Sequence, residues 1–176
     1  MAVDVRHIVI VIAPERFRDE ELDAPRRVFE RAGHRVTVVS TRVGPATGML
    51  GGREPVETSI AQLRPEDCDA LVLAGGAGAP AHLWDSEPLK ALVVAVHAAG
   101  RPVGAICLSP PVLARAGILA GKRATCYPTE RALLELKRGG ATCMDDPVVC
   151  DGTIVTANGP EAAADFGDAL AQLLVP

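Results

Sequence analysis

Short apolar runs alternate with amphipathic stretches along most of this chain. Ile8 to Ala13 and Ala70 to Ala74 are unbroken apolar segments, each closed by proline or glycine. Runs of this length predict strands buried on both faces. The reading by element is Arg6 to Ala13 as a first strand, then a helix from Asp19 to Ala32 with Leu22, Val28 and Phe29 facing the core and Gly33 as its C-terminal cap. Arg35 to Ser40 follows as a β-branched strand, and Val43 to Glu57, rich in Gly and Pro, as a small hairpin or excursion. After the strand at Ala70 to Ala74 comes the loop Gly75-Gly-Ala-Gly-Ala-Pro, then a helix over Leu89 to Ala99 ending at Gly100. Pro102 to Ile106 is a strand, Pro110 to about Arg115 a helix, Arg123 to Tyr127 a strand, and Thr129 to Arg138 a helix closed by Gly139-Gly140. Val148 to Cys150 and Thr153 to Thr156 pair around the Asp151-Gly152 turn, and Glu161 to Leu174 forms a last helix. Alternating β and α units imply a mostly parallel sheet with helices on both faces, whose ligands bind at the carboxyl ends of the strands.

Composition narrows this picture. The 176 residues suit one domain spanning 1–176, and the bias to Val, Ala and Leu with only 3% aromatics suits buried parallel strands. The net charge of -4 comes from scattered charges of both signs, so no basic stripe or aromatic platform points to nucleic acid. Ile8 to Ala13, the longest N-terminal apolar run, is too short for a signal-peptide core or a membrane span. The five cysteines are Cys68, Cys107, Cys126, Cys143 and Cys150; the odd count and the lack of a C-x-x-C pair argue against a disulfide framework or a zinc site. They fit a reducing cytoplasm, with a Cys126–Cys143 bridge as the oxidised alternative.

Cys107 stands out. It lies between the Pro102–Ile106 strand and the Pro110-Pro111 helix start, with small Ala105 and Ser109 two residues to either side. A sharp strand-to-helix turn there is a nucleophile elbow, and helix N–H groups with their dipole would favour the thiolate. The plainer alternative is a buried cysteine acting as a small hydrophobe. The Gly75-Gly76-Ala77-Gly78 loop lacks both nucleotide-binding patterns, G-x-x-x-x-G-K-[ST] and G-x-G-x-x-G. It reads as a tight strand exit that allows close backbone approach to a small substrate.

Together, Ala-Ile-Cys107-Leu-Ser-Pro, Ala74-Gly75-Gly76, Glu21-Leu-Asp-Ala-Pro25 and Asp151-Gly-Thr-Ile-Val-Thr-Ala-Asn-Gly159-Pro160 resemble the ThiJ/PfpI superfamily, over essentially the whole chain and in motif order. The resemblance implies a flavodoxin-like α/β sandwich, a homodimer or higher homo-oligomer, and no metal or organic cofactor. It makes Cys107 the nucleophile and Glu21 the acidic residue that approaches it. It also makes Gly75, Gly76 and the amide of Leu108 an oxyanion-binding loop. Two positions depart from the pattern. The peptidase branch has His directly after the nucleophile, where this chain has Leu108. The deglycase branch has His before a proline about twenty residues later, where this chain has Tyr127 before Pro128. A phenol is a poor base at neutral pH but can donate a hydrogen bond.

On periodicity alone, Asp19, Glu20 and Glu21 are solvated charges at a helix start; the resemblance singles out Glu21, which burial would keep protonated. Of the four histidines, His7 and His34 fall at the far end of the sheet and His97 late in a helix, while His82 follows the glycine loop and is the candidate surrogate base. No pair has metal-ligand spacing, so no metal is expected. Cys126 is read as a filler or a neighbour of the pocket, and Leu83 and Trp84 as packing residues. The leading expectation is a cysteine-dependent enzyme on small reactive carbonyls, of glyoxalase III or deglycase type. A redox-responsive stress protein using Cys107 oxidation is the first alternative. A cysteine peptidase is the second, disfavoured by Leu108.

Overall fold

The first strand shows how the sheet is built. Ile8, Ile10 and Ile12 point to one face and Val9, Val11 and Ala13 to the other, and each set joins its own hydrophobic cluster. Both faces are covered, so no polar residue interrupts the run. The computed structural model describes residues 4–176. Strands are β1 (His7–Val11), β2 (Glu15–Phe17), β3 (Arg35–Ser40), β4 (Gly44–Gly48), β5 (Arg53–Val56), β6 (Thr58–Ser59), β7 (Ala70–Leu73), β8 (Val103–Ile106), β9 (Arg123–Ala124), β10 (Thr142–Cys143), β11 (Val148–Asp151) and β12 (Ile154–Ala157). Helices are α1 (Asp19–Arg31), α2 (Ala79–His82), α3 (Glu87–Ala98), α4 (Pro110–Arg115), α5 (Glu130–Arg138) and α6 (Ala163–Gln172).

The main sheet has seven strands in the order β11-β12-β8-β7-β1-β3-β6. All neighbours are parallel except the β11–β12 hairpin. α1 and α6 cover one face; α3 and α4 cover the other, with α5 stacked on α4. The expected mixed α/β layering with a mostly parallel sheet is present. The chain leaves β1 for β3 on one side and returns to β7 on the other, so the order reverses beside β1. Such a reversal opens a crevice beyond the carboxyl ends of the strands. β2, β4 and β5 form a small side sheet that realises the expected excursion.

Several boundaries differ from the sequence reading. The helix expected from Leu89 begins at Glu87, because Ser86 caps it by accepting the Leu89 N–H at 3.3 Å. The strand expected over Arg123 to Tyr127 is regular only at Arg123–Ala124. Beyond it, the Thr125 N–H donates to Thr156 Oγ1 at 3.0 Å and the Tyr127 N–H to the Cys107 carbonyl at 2.8 Å, so no ladder continues. The last helix opens as a 3-10 turn over Pro160–Ala162 before α6 begins at Ala163. α2 and the β2 and β10 pairings were not foreseen; each is too short to carry a periodic signal.

Packing is tight where α6 crosses β8. A Cβ added at Gly104 would fall 2.6 Å from Leu170 Cδ1 and 2.9 Å from Phe166 Cζ, both fully buried. Gly104→Ala is therefore expected to lower stability by about 1–3 kcal/mol through overpacking. The urea midpoint should fall with an unchanged m-value; an unaltered midpoint would show that α6 moves aside freely.

Candidate active site

Three loops meet in the crevice, after β1, β7 and β8. At the end of β8, Cys107 adopts φ +64°, a left-handed conformation that costs a non-glycine residue energy unless its surroundings enforce it. They do. The Cys107 N–H donates to the Ala157 carbonyl at 2.9 Å, and its carbonyl accepts the Tyr127 N–H at 2.8 Å. Ser109 Oγ, fully buried, donates to the Ala74 carbonyl at 2.6 Å and ties this turn to the exit of β7. Trp84, also buried, donates its indole N–H to the Leu108 carbonyl at 2.6 Å. Leu83 and Trp84 thus do pack the interior.

The three acidic residues opening α1 take three different roles. Asp19 accepts the N–H groups of Leu50 and Gly52, each at 2.8 Å, and so pins the turn between β4 and β5. Glu20 pairs with the Arg18 guanidinium through Nε at 2.8 Å and Nη2 at 3.0 Å. Glu21 turns inward and is 0% exposed. Its Oε2 accepts the Gly75 N–H at 2.8 Å, while Oε1 is buried without a hydrogen-bond partner. Glu21 and Cys107 flank Gly75: a Cβ there would lie 2.6 Å from Glu21 Oε2 and 2.7 Å from Cys107 Cβ. At Gly76, with φ +114°, a Cβ would strike the backbone of Arg16, Phe17 and Arg18. The diglycine is thus required by space as well as by conformation.

Burial dominates the electrostatics. It raises the Glu21 carboxyl to about 7, against the opposing pull of the Gly75 N–H and the Cys107 side chain. The Cys107 thiol is pushed strongly upward, first by burial and then by the Glu21 charge; the amides of Gly76 and Leu108 face the sulfur and oppose this. The expected helix-stabilised thiolate is corrected here. Pro110 and Pro111 fill the first turn of α4 and have no N–H, and the Ser109 N–H donates to the Ile106 carbonyl at 3.1 Å. Gly76 and Leu108 are therefore the amides that meet the sulfur. Cys107 and Glu21 form a coupled pair in which the site of the proton decides which group is charged.

Beside the pair lies a cleft of about 610 Å³, lined by Cys107, Gly76, Leu108 and Tyr127, and also by Arg18, Met49, Asn158 and Glu161. Gly75 lies beneath it, holding the carboxylate rather than facing the cleft. His82, the last residue of α2, is not among the lining residues. His7 begins β1, where its Nε2 lies 2.8 Å from Thr37 Oγ1, and His34 Nδ1 accepts the Arg6 N–H at 3.3 Å; both are at the opposite end of the sheet. Cys126 is 3% exposed in the cluster under α3–α5, beside Cys143 rather than in the cleft, and burial pushes its thiol up to about 12. All five cysteines are free. Arg18, Met49 and Glu161 were not singled out from sequence. Arg18 reaches the cleft because its N–H donates to the Gly75 carbonyl at 2.9 Å, and Met49 because Asp19 anchors its turn.

An α/β protein with a left-handed cysteine after a parallel strand, facing a buried glutamate across a diglycine, is a recognisable class. The sequence profile of the DJ-1/PfpI family matches residues 6–173, and the chain belongs to that family. It is 49% identical over 160 residues to an uncharacterised protein of Methanocaldococcus jannaschii, covering 91% of this chain and 78% of that one. It is 33% identical over 152 residues to a deglycase of Pyrococcus abyssi, covering 86% and 90%. Among solved structures it is similar to a ThiJ/PfpI domain protein from Brachyspira murdochii, with TM-score 0.91, 32% identity and coverage of 97% and 96%. It is also similar to DJ-1beta of Drosophila melanogaster, with TM-score 0.86, 28% identity and coverage of 97% and 91%. Among the described residues no helix is long and apolar enough to cross a membrane.

The buried carboxyl has a consequence for stability. Folded Glu21 keeps its proton up to about pH 7, whereas its ordinary value is 4.5. Between those values folding takes up a proton, so stability falls as pH rises, by about 3 kcal/mol once pH exceeds 7. Glu21→Gln has no proton to lose. It should be more stable than the wild type at pH 8 by up to that amount, with a smaller difference at pH 5, as read from urea unfolding. An equal difference at both pH values would place the effect in packing rather than ionisation.

Proposed function

We propose that the protein is a cofactor-independent enzyme acting on small reactive carbonyls, with Cys107 as nucleophile and Glu21 as its acid and base. The observation that carries this reading is the buried Glu21 carboxyl set directly against the Cys107 side chain. Burying an ionisable carboxyl beside a thiol is costly, and acid–base work on an incoming substrate accounts for it. The deglycase names of several relatives support the same class of substrate.

For a 2-oxoaldehyde such as methylglyoxal, the Glu21 carboxylate takes the thiol proton as sulfur adds to the aldehyde carbon. The oxyanion forms near the Gly76 and Leu108 amides, and Glu21 returns the proton to give a neutral hemithioacetal. Glu21 then removes the hydrogen on that carbon and delivers it to the neighbouring carbonyl carbon through an enediol. This oxidises the aldehyde carbon to a thioester and reduces the ketone to an alcohol. Water cleaves the thioester, releasing the 2-hydroxy acid and the thiol. The sum is substrate plus water, with no external oxidant. Peptide cleavage is a poorer fit: Leu108 stands after the cysteine, and no histidine is among the lining residues to protonate an amine leaving group.

Purified wild type should convert methylglyoxal to lactate. Cys107→Ser should fall to background, and Glu21→Gln should fall by about 100-fold or more, within the range for losing a general base. The wild-type rate should rise with pH through about 7 as Glu21 loses its proton. Full activity in Cys107→Ser, or no turnover by the wild type, would overturn the proposal.

A further inference from the structure

The cleft is larger than a three-carbon dicarbonyl requires. At about 610 Å³ it falls in the range of sites that enclose considerably bigger ligands. Its charged lining residues are Arg18 and Glu161, and they differ in how they are held. Glu161 is exposed in the 3-10 turn ahead of α6. Arg18 is fixed at its base, because its N–H donates to the carbonyl of Gly75, in the loop that also carries the Gly76 amide. A Cβ on Gly76 would strike the Arg18 backbone nitrogen, so the arginine begins in direct contact with the oxyanion loop.

A guanidinium has two edges that each match a carboxylate. Glu20 takes one, through Nε and Nη2. Nη1 and the second Nη2 proton form the other edge, and no residue among those described hydrogen-bonds Nη1. Pairing with Glu20 holds the plane still without using that edge, so a second anion meets a preorganised donor pair. The side chain is 29% exposed, partly screened from water, which strengthens a charge-assisted bond relative to one in bulk solvent.

Resting on the carbonyl reading above, we propose that the open edge of Arg18 seats a carboxylate, so that the preferred substrates are 2-oxoaldehydes bearing a carboxylate at the end remote from the aldehyde. The aldehyde carbon lies at Cys107, the chain runs along the cleft, and the anion rests on Arg18. Arg18 then sets specificity and takes no part in the chemical step. Lysine, a point charge without a planar edge, replaces it only partly.

Alkylation of Cys107 tests the seat without any turnover. 5-Bromo-4-oxopentanoate and its methyl ester differ mainly in charge and place it as far from the reacting carbon as 4,5-dioxovalerate does, and the ratio of their rates at one sulfur cancels changes in thiolate fraction. Rates are followed by mass spectrometry of the Cys107 peptide, with the urea-unfolded chain as reference. The native chain should favour the free acid over the ester about tenfold relative to that reference, the size of one charge-assisted hydrogen bond. The preference should vanish in Arg18→Gln, persist in part in Arg18→Lys and shrink with added salt. In parallel, kcat/KM for 4,5-dioxovalerate should exceed that for its methyl ester, and the gap should close in Arg18→Gln. A native ratio equal to the reference, or one unchanged in Arg18→Gln, overturns the anion seat even if methylglyoxal is turned over. Anion preference with no turnover of any 2-oxoaldehyde overturns the proposed substrates and, with them, the carbonyl reading.

Discussion

The burial of one carboxyl group governs this structure. Glu21 is enclosed on the inner side of α1, where only the Gly75 N–H and the Cys107 side chain offset the loss of water. A charged carboxylate held so poorly costs several kcal/mol, so the group keeps its proton to about pH 7 instead. Everything that brings Gly75 and Cys107 to it is thereby constrained. Gly75 has no room for a side chain between the two groups, and Gly76 has none against the Arg16–Arg18 backbone. The helix must also enter so that Asp19 and Glu20 point away from the diglycine. Asp19 then anchors the β4–β5 turn and Glu20 pairs with Arg18, which leaves Glu21 alone facing inward.

Cys107 meets that carboxyl only because its backbone is held in an unfavourable region. A left-handed cysteine costs on the order of 1–3 kcal/mol, and a conformation of this kind persists only when it is over-determined. Hydrogen bonds from the chain before, after and across the turn do this, through Ala157, Tyr127 and Ser109. Trp84 adds a further clamp at Leu108. The guanidinium groups of Arg131 and Arg115 lie 4.7 Å and 5.3 Å from its ring centre. Arg115 is itself gripped by Glu135 through Nε at 2.9 Å and Nη2 at 3.0 Å. A line of contacts thus runs from α5 through α4 to the turn that holds the sulfur.

Much of this was legible in the sequence, and the exceptions have physical reasons. The alternation in Ile8 to Ala13, the glycine punctuation and the Cys107 seam are local patterns, and local patterns survive folding. Glu21 was legible only through its motif, because Asp19, Glu20 and Glu21 look alike until the helix fixes which one faces inward. The prolines after Cys107 were read correctly as a helix start, yet the same residues remove the N–H donors that a helix start would offer the thiolate. Arg18 and Met49 escaped notice because they reach the cleft through long-range contacts, with the Gly75 loop and through Asp19. No period or spacing in the chain reports such contacts.

Leu108 and Tyr127 line the cleft beside Cys107 and no histidine does, which shapes the chemistry open to the site. Tyr127 is 46% exposed at the cleft, with its backbone fixed to Cys107. A phenol there can donate a hydrogen bond. In the proposed reaction, proton traffic therefore falls to Glu21, whose raised pKa lets it give and take a proton at similar cost. One such group suffices when each step moves a proton between neighbouring atoms of a bound intermediate. It does not suffice when a separate acid must protonate a departing amine while the base stays engaged. The geometry of a single buried carboxyl over a single sulfur thus favours addition to a carbonyl and internal proton transfer over cleavage of an amide.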